Sequence, residues 1–290
     1  MNKKIKIGFI GQGWIGKNYA DDFEERGYDV VRYDLEKFAG NKDKIYECEI
    51  VFIAVPTPTT KKGFDYSIVE KVLPVVGKGK IAVIKSTILP GTGDKLQKKF
   101  KNIFVMHSPE FLMEASAHYD ARHPNRNIVG ICKLDKANIQ AAKKVLEVLP
   151  KSPYEKIMLM KEAEMVKYIG NCFLYTKVVF FNTLFDLIKK QKLDYENIRS
   201  AVECDPRIGG SHTKIEHNSG HTRRIGRGAG GHCFIKDYDA TLLMYKQLLG
   251  EDRGYKALKG YREKNNELLV KSKKDLELLA GVIGDISKYK

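Results

Sequence analysis

Three glycines, Gly11, Gly13 and Gly16, follow directly on the apolar run IKIGFI (5–10) and open an amphipathic stretch. This order of strand, glycine turn and helix constrains the fold more than any other feature of the chain. A glycine turn at the head of a helix leaves backbone amides and the positive end of the helix dipole facing outward, a seat for a pyrophosphate. The next apolar run, YDVVRY (28–33), ends at Asp34. That is the offset at which a carboxylate meets the adenine ribose hydroxyls and repels a 2′-phosphate. The residues therefore predict NAD rather than NADP, held by a strand, turn, helix and acid in that order.

Beyond the glycines, short β-rich runs alternate with amphipathic stretches, as in a parallel sheet covered by helices. Further strands are expected at 50–55, 80–86, 102–106 and 127–131. Helices are expected from Ile15 to Arg26 with Gly27 as the stop, from Ser67 to Val76 with Ser67 as N-cap, and from Lys136 to Leu149. After Pro153 the pattern changes: a long helix is expected over 161–190, a second over 195–202, then a loop rich in Gly, His and Arg over 205–232, then helix from Asp237 onward. The predicted fold class is α/β, a Rossmann-type doubly wound parallel sheet (1–158) followed by an all-helical central, dimerisation domain with a long helix (159–290).

No apolar run approaches the roughly 20 residues of a membrane span, and the amino terminus has no signal-peptide pattern, so the expected location is the cytoplasm with no membrane partner. Five cysteines without CxxC spacing suggest thiols rather than a disulfide framework or a zinc ribbon. The formal net charge of +15 favours an anionic partner. No helix-turn-helix, zinc-finger or RNP pattern accompanies the charge, so a phosphorylated metabolite is expected rather than nucleic acid.

Several residue pairs carry potential chemistry. Lys167 and Asn171 are four apart on the long helix and share a face, where they can converge on one oxygen. Glu110 and Glu114, also four apart, can divide base and binding duties beside a lysine. Cys233 follows a run of glycines and precedes a helix, with Lys236 beside it, a setting that favours the thiolate. For Cys48, Cys132, Cys172 and Cys204 an inert thiol is the expected reading. His212, His217 and His221 fit no standard zinc spacing, and no metal is expected.

Eight segments, GFIGQGWIG, VFIAVPTPT, KSTILPGTG, SPEFL with Glu114, NRNIVG, KYIGNCFLYTK, DPRIG and GGHCFIKD, occur in the order found in UDP-glucose/GDP-mannose dehydrogenases, and the chain resembles that family over nearly its whole length. The resemblance implies two oxidations of a primary alcohol on a nucleotide sugar, UDP-glucose first among candidates, with two NAD used per carboxylate. It implies that Cys233 is the nucleophile, that Lys167 and Asn171 stabilise an oxyanion, and that Asp237 works with Lys167 through a water. Glu110 and Thr87 would assist proton transfer and thioester hydrolysis. NAD would lie against Gly11, Gly13, Trp14, Ile15, Gly16, Asp34, Thr57, Thr87 and Glu114. The nucleotide-sugar substrate would meet Glu110, Phe111, Leu112, Lys167, Asn171, Arg207, Gly230 and Lys236. Arg207 would reach a neighbouring subunit, which implies a homodimer.

Relative to the family pattern, the stretch between Asp34 and Ile50 is compact and Ile235 replaces a proline. Family members continue into a further nucleotide-binding domain, so a chain ending at Lys290 is expected to lack it. Two other readings compete with the nucleotide-sugar dehydrogenase. A β-hydroxyacid dehydrogenase shares the Lys167 to Asn171 spacing but needs no cysteine. A non-catalytic NAD-binding remnant would be unlikely to retain Thr87, Glu110, Lys167, Asn171, Cys233 and Asp237 together.

Overall fold

The runs IVFI (50–53) and IAVI (81–84) are apolar at every position, as strands covered on both faces must be. In a computed structural model, which describes residues 5–60, 63–113, 116–220, 222 and 224–289, the chain divides into two compact units. One comprises Met1–Pro58 with Phe64–Lys167, the other Thr59–Gly63 with Tyr168–Lys290.

The first unit runs β1 (Lys6–Ile10), α1 (Trp14–Glu25), β2 (Asp29–Tyr33), α2 (Lys42–Ile45) and β3 (Ile50–Ile53). A two-stranded ribbon of β4 (Thr59–Thr60) and β5 (Gly63–Phe64) comes next in sequence. Then follow α3 (Ser67–Val72), β6 (Ile81–Ile84), α4 (Thr92–Lys99), β7 (Phe104–His107), α5 (Ala117–Arg122), β8 (Asn127–Ile131), α6 (Lys136–Val148) and β9 (Glu155–Leu159). The seven long strands form one sheet in the order β2-β1-β3-β6-β7-β8-β9. Strand alternation sends Ile50 and Phe52 into one core with Phe9, Phe23 and Val145, and Val51 and Ile53 into a second core with Ile45, Leu73 and Leu96.

The expected α/β class and Rossmann-type sheet are present, with three differences. The sheet is mixed rather than wholly parallel, because β8 pairs antiparallel with β7. Both ends of the segment 108–126 therefore lie at the same edge, the carboxyl edge of the parallel strands. β9, a seventh strand absent from the sequence reading, pairs parallel with β8. Ser67 is the first helical residue rather than the N-cap, its amide donating to Asp65 Oδ1 at 2.8 Å, and the helix tightens to 3-10 over Leu73–Val75.

The long helix α7 (Met160–Lys190) has 31 residues, and the division between the units falls within it. The second unit continues with α8 (Tyr195–Glu203), a ribbon of β10 (Glu216–His217) and β11 (Gly226–Arg227), α9 (Gly231–Leu249), α10 (Arg253–Lys271) and α11 (Leu276–Ile283). Its core includes Tyr175 and Tyr238, whose rings stack 3.8 Å apart, with Val178, Val179 and Ala229 around them. Among the described residues no helix is long and apolar enough to cross a membrane, and none of the His, Cys, Asp and Glu groupings could hold a metal ion.

A buried carboxylate fixes the start of α7 within the first unit. Glu164 is fully buried and accepts the amides of Gly91 and Gly93, so it caps α4 from a distance in sequence. Burial, opposed by the amides of Gly93 and Gly91, pushes its pKa up to about 7. The folded state thus holds a proton that the unfolded chain releases above its ordinary value of 4.5. Stability from this group is present at low pH and is lost as pH rises to about 7, by roughly 3 kcal/mol in all. Thermal melts between pH 5 and 8 should show the midpoint falling as pH rises, and Glu164→Gln should flatten that part of the slope; an unchanged slope would refute the assignment.

Candidate active site

The glycine turn divides its work among three positions. Gly11 has φ +89°, and a Cβ there would stand 2.3 Å from the Ala54 carbonyl oxygen; a Cβ on Gly16 would stand 1.9 Å from that of Gly11. These two shape the turn and press α1 against the strand. A Cβ on Gly13 would meet nothing within 4 Å. Gly13 is the N-cap of α1 and no side chain caps that end. The residues present therefore fit a pyrophosphate: the first-turn amides face open space at the one glycine where close backbone approach is unobstructed. Trp14 is partly exposed at the head of the helix and Ile15 packs against the core behind it.

Asp34 lies at the end of β2. Its Oδ1 accepts the amides of Glu36 at 3.1 Å and Phe38 at 2.8 Å, which fixes the carboxylate and leaves Oδ2 for a ribose hydroxyl. Arg32, the nearby cation that could welcome a 2′-phosphate, is committed to Asp21 at 2.6 Å and Glu24 at 2.8 Å. The electrostatics at this edge oppose a phosphorylated ribose.

The loops after β3 and β6 are stitched together. Thr57 Oγ1 donates to the Thr87 carbonyl at 2.7 Å, and Ser86 Oγ donates to the Val55 carbonyl at 2.6 Å. Below them lies a buried charge group: Lys167 Nζ is 3.4 Å from Glu110 Oε2, and Glu110 Oε1 accepts the Leu112 amide. Lys85, which the sequence reading passed over, is also buried here and donates to Ser108 Oγ at 3.2 Å, with its ammonium 4.5 Å from the centre of the Tyr19 ring. Burial pushes Lys85 down to about 8, while Glu110 opposes the shift and Lys167 adds to it. Burial also pushes the adjacent His107 down to about 3, leaving it neutral. A small cleft of about 120 Å³ is lined by Lys85, Ser108, Phe111, Leu112 and Arg126.

In the second unit the helix bearing the thiol begins earlier than expected, at Gly231 rather than Asp237. Cys233 is consequently the third residue of a 19-residue helix, and it is exposed. A thiolate in the first turn is stabilised by the helix dipole. Gly230 is the N-cap. Asp237, one turn on and fully buried, accepts Asn171 Nδ2 at 2.6 Å on Oδ2 and Lys236 Nζ at 2.6 Å on Oδ1. For Lys236 burial lowers the pKa, yet the Asp237 carboxylate and the Cys233 thiolate outweigh it and raise the value above the ordinary one.

The structure thus brings Lys167 together with Glu110, Thr57 with Thr87, and Asn171 with Asp237 and Lys236. Arg207 is 87% exposed and bound to Asp205 at 2.6 Å. Glu114 and His221 lie outside the described residues. His212 and His217 are pushed down by burial, and among the described residues no metal-binding group includes them. Lys85 could have been noticed in the sequence as a lysine closing an otherwise apolar strand run.

The NAD binding domain of the UDP-glucose/GDP-mannose dehydrogenase family matches residues 35–149, and the central domain of the same family matches residues 161–267. UDP-glucose 6-dehydrogenase of Pseudomonas aeruginosa is 32% identical, over 92% of this chain and 67% of its own. That of Rhizobium meliloti is 27% identical, over 86% of this chain and 64% of its own. A solved UDP-glucose dehydrogenase structure from Pyrobaculum islandicum superposes with a TM-score of 0.76 at 25% identity, covering 93% of this chain and 71% of that one. The chain spans between 30% and 67% of the length of the curated relatives considered.

The cradle at Gly13 and the acid at Asp34 give a direct test. Asp34→Ser should weaken NAD binding about tenfold, the loss of one charge-assisted hydrogen bond, and should narrow the preference over NADP. Quenching of Trp14, the only tryptophan in the chain, reads both titrations. An unchanged NAD to NADP ratio would remove Asp34 from the ribose site.

Proposed function

Because the chain belongs to the UDP-glucose/GDP-mannose dehydrogenase family, we propose that it oxidises the primary alcohol of a nucleotide sugar to a carboxylate, UDP-glucose to UDP-glucuronate being the leading case, through a covalent intermediate on Cys233. The observation that carries the proposal is the exposed Cys233 thiol in the first turn of α9, with Lys236 and buried Asp237 behind it on the same helix.

Bound NAD supplies the hydride acceptor, once for the alcohol and once at the aldehyde level. The residues of the chain do the rest. The Cys233 thiolate adds to the aldehyde carbon, forming a C–S bond as the C=O π bond opens, which leaves an oxyanion on a tetrahedral carbon. This gives the second hydride transfer a tetrahedral donor, and loss of that hydride leaves a thioester. Water then attacks the thioester carbon, the C–S bond breaks, and the thiolate is regenerated with the carboxylate. Lys167 and Asn171, one turn apart on α7, are the groups for the developing oxyanion. Glu110, buried and paired with Lys167, is the carboxylate for moving protons to and from water, assisted by Thr87. Asp237 holds Asn171 and Lys236 in place and serves as the base acting with Lys167 through a water. Phe111, Leu112, Gly230 and Arg207 complete the substrate contacts in this reading. Thiolate chemistry of this kind suits a reducing compartment, the cytoplasm.

The stoichiometry tests the reaction: two NADH per sugar consumed with UDP-glucose, or with GDP-mannose as comparison. Cys233→Ser should abolish net acid formation while leaving NAD binding intact. Near-normal turnover by that variant would favour a single-hydride β-hydroxyacid reaction and sink the covalent mechanism.

A homodimer is the assembly we propose. On α7 the side chains of Ile169, Phe173, Phe180, Leu184 and Leu187 recur at intervals of three, four and seven residues and are each between 37% and 64% exposed. An apolar stripe of this length on a helix calls for a cover, and a second copy of the same helix provides one of matching character. Sedimentation should show a dimer that Phe180→Asp with Leu187→Asp converts to monomer; an unshifted dimer would place the interface elsewhere.

A further inference from the structure

The glycine-rich loop that leads into Cys233 is held by a cradle formed from the segment after α10. Lys274 is fully buried, and its ammonium donates to the carbonyls of Gly226 at 3.2 Å and Gly228 at 2.9 Å. Asp275, also buried, accepts the amide of Gly231, the first residue of α9, at 2.8 Å on Oδ2. Its Oδ1 accepts Ser219 Oγ at 3.0 Å. From α10, Asn265 accepts the Ala229 amide at 2.7 Å and returns a bond to its carbonyl at 3.0 Å. Every polar backbone group named here is thus satisfied by a side chain distant in sequence.

The same cradle explains the glycines. A Cβ on Gly230 would stand 2.0 Å from Asp275 Oδ2, and one on Gly226 would stand 2.8 Å from the Ser272 Cβ. The loop must be bare where the charged pair grips it. Lys273 and Asp275 themselves adopt left-handed φ of 53° and 52°, a cost for residues bearing a side chain. Buried charge and backbone strain thus fall together on three consecutive residues just beyond α10, Lys273 to Asp275.

We propose that Asp275, supported by Lys274, is a positioning residue for the reacting thiol, shaping the loop 226–231 so that the first turn of α9 presents Cys233 in one orientation. The proposal rests on the reading of Cys233 as nucleophile. Neither residue touches the reacting atoms; their effect passes through the Gly231 amide and the loop carbonyls. Misplacement of a reacting group by about 1 Å can cost on the order of a hundredfold in rate, so a loosened loop is expected to act on turnover more than on affinity.

The test combines amide hydrogen exchange with kinetics on the full chain. Asp275→Ala should raise exchange at Ala229 and Gly231 by about tenfold or more, with the rest of α9 and α10 unchanged. Its kcat for NADH formation should fall by about tenfold or more while KM for NAD stays within about twofold. Asp275→Asn, which keeps an oxygen for the Gly231 amide, should recover most of both losses, a rescue that general destabilisation would not produce. Unchanged exchange at 229–231, or an unchanged kcat beside raised exchange, overturns the proposal. If Asp275→Ala unfolds α10 as well, Asp275→Asn and Ser219→Ala read the same amides with smaller perturbation. If the wild-type chain forms no NADH, the nucleophile reading is what fails, and exchange at 229–231 still decides whether Asp275 shapes the loop.

Discussion

The fully buried carboxylate of Asp237 dictates much of the arrangement of the helical unit. A carboxylate removed from water costs several kcal/mol unless its oxygens are paired, and here each oxygen has a donor at 2.6 Å. One donor, Asn171, belongs to α7 and the other, Lys236, to α9. Satisfying one charge therefore fixes the rotation of two helices against each other. Because Cys233 is one turn before Asp237 on the same helix, that rotation also sets the direction of the thiol. The stacking of Tyr175 on Tyr238 locks the same pair of helices a turn further along.

In the nucleotide-binding unit, buried charge does related work with a different balance. Lys85 and Lys167 are both buried near Glu110, two ammonium groups to one carboxylate. Burial draws Lys85 down to about 8, with Glu110 opposing the shift and Lys167 adding to it. The grouping follows from the parallel pairing of β6 with β7, which delivers Lys85 and Ser108 side by side at the carboxyl edge with Glu110 just beyond.

The elements legible in the sequence were those with strong local periodicity. β1, β2 and β8 match the apolar runs that announce them, and α6 and α7 match their amphipathic patterns nearly to the residue. β9 was not legible because it is an edge strand: its residues EKIML are exposed or half-buried, so neither an apolar run nor a clean alternation marks it. The start of α9 was misread because Gly230 and Gly231 look like loop, whereas Gly231 has φ +85° and still begins the helix. Pairings between distant residues, such as Lys274 with the loop at 226–228 or Lys85 with Ser108, have no local signal. The motif residues Thr57, Glu110, Lys167, Asn171 and Asp237 could be singled out from the sequence, but not the partners that hold them.

The helix beginnings separate two kinds of task. α6, α8 and α10 start at Asp135, Asp194 and Asp252, and in each the aspartate side chain accepts an amide of the first turn. At those ends the cap already takes one or two of the first-turn amides and adds a negative charge. α1 and α9 start instead at Gly13 and Gly230, in nearly the same extended conformation with ψ of −176° and −168°, and neither glycine has a side chain to cap with. An aspartate at either place would fill the turn with negative charge, opposing a pyrophosphate at α1 and a thiolate at α9. At the second, Asp275 accepts the Gly231 amide on Oδ2 and Ser219 Oγ on Oδ1. The first turn of α1 has no side-chain cap, which suits a dinucleotide, whereas at α9 a carboxylate from a distant segment takes the first amide and requires Gly230 to be bare beside it.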